Sequence, residues 1–249
     1  MKKLVTYFFT FIFSIAANYT LAGDSTSNAY EKNYYRKSWS LGGMAHPKGL
    51  GVNFRREQFR SALVKSFWTI EAYNVKSAKE KKSYGSGGDQ SSSFIYGKLN
   101  HLYILKGGIG RQKIIFDKEV IRGVQISTIC NINFALGFLK PIYLEVFVPD
   151  QNGAVSTERY NPDIHKLGQI NEKAPWNIGA GEMLIVPGLS GKIALNFEFA
   201  PKSNKIKAIE TGVNIDAFMK PMPIMANQSN QYVFVNLYLN FQFGRKSYL

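Results

Sequence analysis

The stretch "YVFVNLYLNFQFGRKSYL", Tyr232 to Leu249, decides the fold. From Val233 to Phe243 each odd position is apolar: Val233, Val235, Leu237, Leu239, Phe241 and Phe243. Asn236, Asn240 and Gln242 fall between them. Successive side chains of a β-strand point to opposite faces, so this segment predicts a strand with one apolar and one polar face. In a soluble sandwich the apolar face would meet a second sheet. In a transmembrane barrel it meets lipid, while the polar face lines the lumen. The segment has the length of a tilted membrane-spanning strand.

The first residues choose between these two readings. "MKKLVTYFFTFIFSIAANYTLAG" (1–23) opens with Lys2 and Lys3, continues as an apolar run and ends on Thr20-Leu21-Ala22 before Gly23. That layout predicts a secretory signal peptide over 1–22, with Ala22 the last residue removed. An anchoring helix fits less well, because the apolar core is short and Asn18 and Thr20 interrupt its end. No cysteine follows the cut closely, so a lipid-modified N-terminal cysteine is not expected. No later segment is a long unbroken apolar run, so no helix is expected to cross a membrane.

The formal net charge is +14, and two of those lysines leave with the signal. On an exported chain such a balance points to anionic lipid headgroups or polysaccharide, and not to nucleic acid. The 14 tyrosines and 18 phenylalanines can supply aromatic girdles at two membrane interfaces. Cys130 is the single cysteine, which rules out an intramolecular disulfide and leaves it as a small apolar strand residue.

After a polar lead-in over 23–37, alternation predicts strands at 38–46, 49–59, 67–75, 98–110, 123–138, 191–199 and 207–218, with the opening stretch last. The expected architecture is therefore all-β: a transmembrane antiparallel up-and-down barrel of eight strands over 38–249. "PIYLEVFVP" (141–149) has its apolar residues at even positions, as does the strand before it. It reads as a continuation of that strand, bent at Pro141 and projecting beyond the membrane. The alternative is a separate strand with a tenth near "GEMLIVPG" (181–188). Short connections lie at 60–66, 111–122 and 200–206, which predicts the periplasmic end. The other end carries 46–48, 76–97, 149–190 and 219–231. The 149–190 loop holds Trp176 with Pro149, Pro162 and Pro175, and it is expected to fold over the barrel mouth.

Few residues are spaced for chemistry. His46, His101 and His165 are too isolated for a metal motif, and no phosphate-binding loop or nucleophile elbow is present, so neither metal nor cofactor is expected. The glycines of "GGIG" (107–110) read as relief of crowding inside a strand. A lipid-modifying enzyme would use His46, at the outer end of the first strand, as its base. Arg55, Glu71, Lys192, Glu198, Glu210 and Asp216 all fall on predicted inward faces. An eight-stranded lumen is narrow enough for side chains to fill, so these charges predict a salt-bridged plug, with a proton or ion path as the alternative.

Four segments, "IYGKLNHLYILKGGIG", "VPGLSGKIALNFEF", "IKAIETGVNIDAF" and "QYVFVNLYLNFQFGRK", resemble the small outer-membrane β-barrel proteins of Bacteroidetes. The likeness covers most of the chain from Ser38 onward. It implies a cell outer membrane location and supplies no catalytic residues. The resulting expectation is a non-enzymatic outer-membrane barrel whose extracellular loops dock a partner or ligand. Trp176, Ile178, Met183, Leu184 and Ile185 would be costly to leave in water as one patch, which makes them the candidate docking residues. Expected partners are outer-membrane lipids and lipopolysaccharide, the barrel-insertion machinery during biogenesis and other outer-membrane proteins of a larger assembly.

Overall fold

The computed structural model describes residues 37–84, 92–117, 123–148, 154–199, 204–226 and 228–247. The expected signal peptide, the lead-in up to Arg36 and Pro149 lie outside these residues. In chain order the strands are β1 (Lys37–His46), β2 (Gly49–Phe59), β3 (Val64–Val75), β4 (Lys82–Ser83), β5 (Phe94–Ile95), β6 (Asn100–Phe116) and β7 (Gln125–Pro141). They continue as β8 (Tyr143–Phe147), β9 (Val155–Arg159), β10 (Ile170–Lys173), β11 (Leu184–Glu198), β12 (Lys205–Met222) and β13 (Gln231–Ser247). Two short 3-10 turns, Leu167–Gln169 and Ala180–Glu182, complete the list.

Eight of the strands close an antiparallel barrel in the order β1-β13-β12-β11-β7-β6-β3-β2. Each pairs with its neighbours in the chain, and β13 returns to β1 with Lys37 opposite Ser247 and Ala45 opposite Leu239. The alternation read from the sequence is the alternation of the wall. Along β13, Val233, Val235, Leu237, Leu239, Phe241 and Phe243 are exposed, while Asn236, Asn240 and Gln242 are buried. Apolar residues outside and polar residues inside is the arrangement of a membrane-spanning barrel, the inverse of a soluble one.

Three boundaries differ from expectation. The chain does turn out of the wall at Pro141, as expected, but β7 ends there and the segment after it is a strand of its own. β8 leaves the wall and becomes the centre of a three-stranded sheet, β10-β8-β9, outside the barrel. Its even positions keep the parity of β7 for another reason: Ile142, Leu144 and Val146 bury against Phe94, Tyr160 and Ile170 in a small core of their own. Second, the wall resumes at Leu184, so the long connection is 142–183 and not 149–190. Leu184-Ile185-Val186 hid this start because the lumen is apolar at that level, which removes the contrast between faces. Val186 is buried with Leu102, Ile104 and Leu139. Pro187 is tolerated because pairing to β12 begins only at Gly188, leaving that edge open. "GEMLIVPG" thus runs into β11 and adds no strand to the eight. Third, β3 begins at Val64 and β6 runs to Phe116, shortening the turns at that end.

The two longest connections, 76–99 and 142–183, lie at the same end. Residues 60–63, 117–124 and 199–204 link strands at one end; 76–99, 142–183 and 223–230 do so at the other, together with the tight Pro47-Lys48 turn. The end with the long connections carries the outer sheet. That cap is tied down by backbone bonds: Ile142 N donates to Leu99 O at 3.1 Å, Leu99 N to Ile224 O at 2.9 Å and Ala226 N to Gly97 O at 2.7 Å.

Candidate functional site

The lumen is filled in layers. Toward the cap it is apolar, with Val75, Leu102, Leu139, Val186, Phe218 and Met222 packed together. Below lies a ladder of six alternating charges. Arg55 Nη2 stands 2.6 Å from Glu210, and Glu210 is 3.8 Å from Lys192 Nζ. Lys192 pairs with Glu71, Glu71 lies 3.5 Å from Lys106, and Lys106 lies 3.2 Å from Asp216. Three cations and three carboxylates cancel.

A second ladder follows toward the far end. Lys65 lies 3.2 Å from Glu57 and 4.0 Å from Glu198, and Lys246 lies 2.6 Å from Glu198. It is neutral as well. Isolated ions in such a place would cost several kcal/mol each, so alternation is the condition for burying them.

Hydroxyls and rings complete the packing. Tyr238 donates to Glu210 at 2.5 Å, Tyr73 donates to Asp216, and Asn214 Nδ2 donates to Asp216 at 2.7 Å. Arg55 sits over the Phe67 ring, Lys106 over Tyr73, Lys192 over Tyr238 and Lys65 over Phe59, all at 4.6–4.8 Å. Each of these cations therefore has a carboxylate and a π-face. Gly110 clears room for the layer: a Cβ there would stand 2.4 Å from Phe67 Cζ.

All six charges expected in the lumen lie there, Glu198 in the lower ladder and the other five in the upper one. The expected set lacks Lys106, Lys65, Lys246, Glu57 and the two tyrosines. Lys106 precedes "GGIG", whose glycines blur the alternation. Lys65 lies in the 60–66 segment, whose sequence predicts a turn, whereas β3 begins at Val64. Glu57 did lie on the predicted inner face of its strand, and that parity was the signal that could have found it.

At the cap end, the five candidate docking residues gather along the end of β7. Trp176 Nε1 donates to Tyr103 Oη at 3.3 Å, and the Lys140 ammonium lies over the Trp176 ring at 5.4 Å. Lys140 Nζ also donates to Ile178 O at 2.9 Å. Met183 leads into β11, where Leu184 and Ile185 pair with Leu139 and Phe138. Trp176, Leu184 and Ile185 remain about half exposed, at 54, 51 and 54%. Leu184 and Ile185 therefore belong to the barrel wall and not to the loop.

Within the cap, burial pushes the Lys98 ammonium below its ordinary range, and Glu80 at 2.8 Å partly offsets this. Burial raises the Tyr160 phenol, whose oxygen accepts from Gly97 N at 3.1 Å. Glu172 is held below the usual carboxylate range because the Ser92 N–H and hydroxyl donate to it at 3.1 and 2.9 Å. This last pair ties the β4–β5 connection to β10.

The three histidines stay apart. His46 packs edge-on against Tyr73 at 5.2 Å, and neither of its ring nitrogens meets a serine or an acid among the described residues. His165 Nε2 lies 3.1 Å from Glu158. His101 stands on the outer wall opposite Lys140. Among the described residues no group of three His, Cys, Asp or Glu side chains could hold a metal ion.

No family model matches this chain, and no curated protein sequence matches it. The chain is similar to several solved structures. Ail, the attachment invasion locus protein of Yersinia pestis, shares 8% identity over 85% of this chain and 99% of its own, with a TM-score of 0.37. Neisserial surface protein A shares 9% over 84% and 95%, with a TM-score of 0.38. A major outer membrane protein from Thermus thermophilus shares 8% over 83% and 99%, with a TM-score of 0.37.

Proposed function

We propose that this chain is a non-enzymatic barrel of the Gram-negative outer membrane, exported by a cleaved signal peptide, whose external cap docks a partner. In this reading it is an accessory subunit of a larger outer-membrane assembly, such as the barrel-insertion or protein-secretion machinery. The observation that carries the reading is the 142–183 connection. A link between adjacent strands needs only a few residues; this one builds a sheet whose core of Ile142, Leu144, Val146, Tyr160 and Ile170 also takes in Phe94 from the 76–99 connection. Ordering so many residues is costly, and an idle connector has no reason to bear that cost. The two neutral ladders and the apolar layer fill the lumen, so the cap and the outer wall are the surfaces left to work. A lipid-modifying role for His46 has less support, since its ring faces Tyr73 and no nucleophile.

The cap presents Ile164 and Leu167 at 65 and 48% exposure, and Trp176 is half-exposed as well. The test is an Ile164→Asp/Leu167→Asp variant in a cell that also carries Lys81→Cys as a sidedness probe. Lys81 should label with an impermeant thiol reagent in intact cells, and the variant should insert and run heat-modifiably yet lose the partners that crosslink to the parent chain. Labelling only after lysis would overturn the sidedness. Retention of every crosslinked partner by the variant, and by a chain lacking 160–180, would overturn the docking role.

A further inference from the structure

The antiparallel register stacks three rows of side chains on the outer wall, just below the cap. The lowest row runs across four strands as Val52, Ala72, Leu105 and Leu136, each opposite the next. The row above it contains Leu50, Asn74, Tyr103 and Phe138; Asn74 faces Tyr103, Tyr103 faces Phe138, and Leu50 N donates to Asn74 Oδ1 at 2.8 Å. Small Ala72 between larger neighbours leaves a shallow concavity of about 330 Å³, lined by Leu50, Ala72, Asn74, Tyr103, Leu105 and Phe138.

The top row is basic. His101 and Lys140 are register partners, each two residues beyond Tyr103 and Phe138 on the same faces. Lys76 follows Val75, the partner of Leu102, and its N–H donates to Lys48 O at 2.7 Å. Lys98 and Lys173 come in from the cap. The charged neighbours that act on the His101 ring are Lys98, Lys173, Lys140 and Lys76. Among the described residues the one carboxylate paired with this group is Glu80, on Lys98. His101 Nε2 is buried and has no hydrogen-bond partner.

We propose that this face of β2, β3, β6 and β7 binds a phosphate-bearing acyl lipid of the outer leaflet, with its phosphate held by the accessible Lys76 and Lys173 over the buried Lys140 and His101 Nε2 and an acyl chain along the Ala72 groove. Two residues of strand separate the basic row from the aromatic one, about 7 Å, which is the step from a headgroup phosphate to the upper acyl region. The apolar groove alone would accept any lipid tail. The cation row alone would accept any anion. Their placement on one face, one above the other, selects a molecule that has both. Trp176, hydrogen-bonded to Tyr103 and lying over the Lys140 ammonium, gives the site an interfacial aromatic. The inference rests on the outer-membrane location and sidedness of the proposed function, with the cap end at the cell exterior, and not on the protein-docking role of the cap.

The test uses the full chain purified in dodecyl maltoside, with bound lipid counted by native mass spectrometry. The probes are bis-phosphorylated lipid A, the same lipid with its phosphates removed, and inorganic phosphate as competitor. The phosphorylated lipid should bind about tenfold or more tightly than the dephosphorylated one, as charge-assisted hydrogen bonds require. Lys76→Gln/Lys173→Gln should remove that preference, and Ala72→Trp should lower binding of both lipids by filling the groove. Lys113→Gln/Lys207→Gln, at the opposite rim, should change neither, and heat-modifiability checks that every variant is folded. Equal binding of the two lipids, an equal loss from the opposite-rim variant, or full displacement by millimolar inorganic phosphate would overturn the proposal.

Discussion

The lumen and the cap-side rim handle charge in opposite ways. In the lumen, Arg55, Lys106, Lys192, Lys65 and Lys246 each lie within 4.0 Å of a carboxylate, and both ladders sum to zero. At the rim, Lys76, Lys98, Lys140 and Lys173 all act on the His101 ring, yet the one carboxylate among them is Glu80 on Lys98, and Lys140 is held by the Ile178 carbonyl and the Trp176 ring. The difference follows from what surrounds each place. Side chains shut in a narrow barrel can be neutralised only by other side chains, whereas those at a rim can leave neutralisation to solvent or to a ligand. Of these rim cations Lys76 and Lys173 remain open to something outside the protein, whereas Lys98 and Lys140 are buried against Glu80 and the Ile178 carbonyl.

Breaking a ladder should have the largest effect. Glu210→Ala strands Arg55 in the lumen and should cost about 3–5 kcal/mol. Urea unfolding of the refolded barrel in liposomes, followed by tryptophan fluorescence, measures this, and Glu210→Ala/Arg55→Met should recover most of the loss. A single variant as stable as the parent would mean the ladder is decorative. Next comes the same type of charge placed on the wall. Leu237 is 65% exposed to the lipid side, and Leu237→Arg should cost about 2–4 kcal/mol while Leu237→Phe is tolerated. Equal insertion yields for the two would erase the distinction between wall and lumen. The smallest effect belongs to the cap. Glu80→Gln leaves Lys98 without its carboxylate and should loosen the cap by about 1–3 kcal/mol. Limited proteolysis should then cut the cap faster while the barrel core persists; global unfolding would show that cap and barrel are one cooperative unit.

How much of this was legible depends on whether a feature lives in one strand or between strands. β1 and β2 could be read almost to the residue, because Ser38, Ser40 and Arg55 contrast with Trp39, Leu41 and Phe54 within a few positions. The start of β11 was not, because Leu184, Ile185 and Val186 are apolar on both faces where the lumen itself is apolar. β8 keeps the alternation of β7, so its departure at Pro141 is legible while its pairing with β9 and β10 is not. Period-two patterning reports that one face is buried and is silent about what buries it. Ladder members such as Glu71 and Asp216 could be placed on an inner face, but not paired with Lys192 and Lys106, since partners come from strands far apart in the chain. The basic row of Lys76, His101 and Lys140 has no sequence signal at all: it exists only once β3, β6 and β7 are in register.

The β1–β13 seam sets a condition on how the molecule comes into being. Lys37 pairs with Ser247, so closure joins the two extremes of the barrel sequence. Seven of the eight strand pairings can form between chain neighbours, at modest loop-closure entropy. The eighth cannot begin until the last strand has been made and delivered. Until then β1 and β13 each present a row of unsatisfied backbone donors and acceptors, a template for pairing with the wrong chain. Formation of this barrel is therefore a problem of timing, in which two sticky edges have to be kept apart from other chains and then released to each other inside a bilayer.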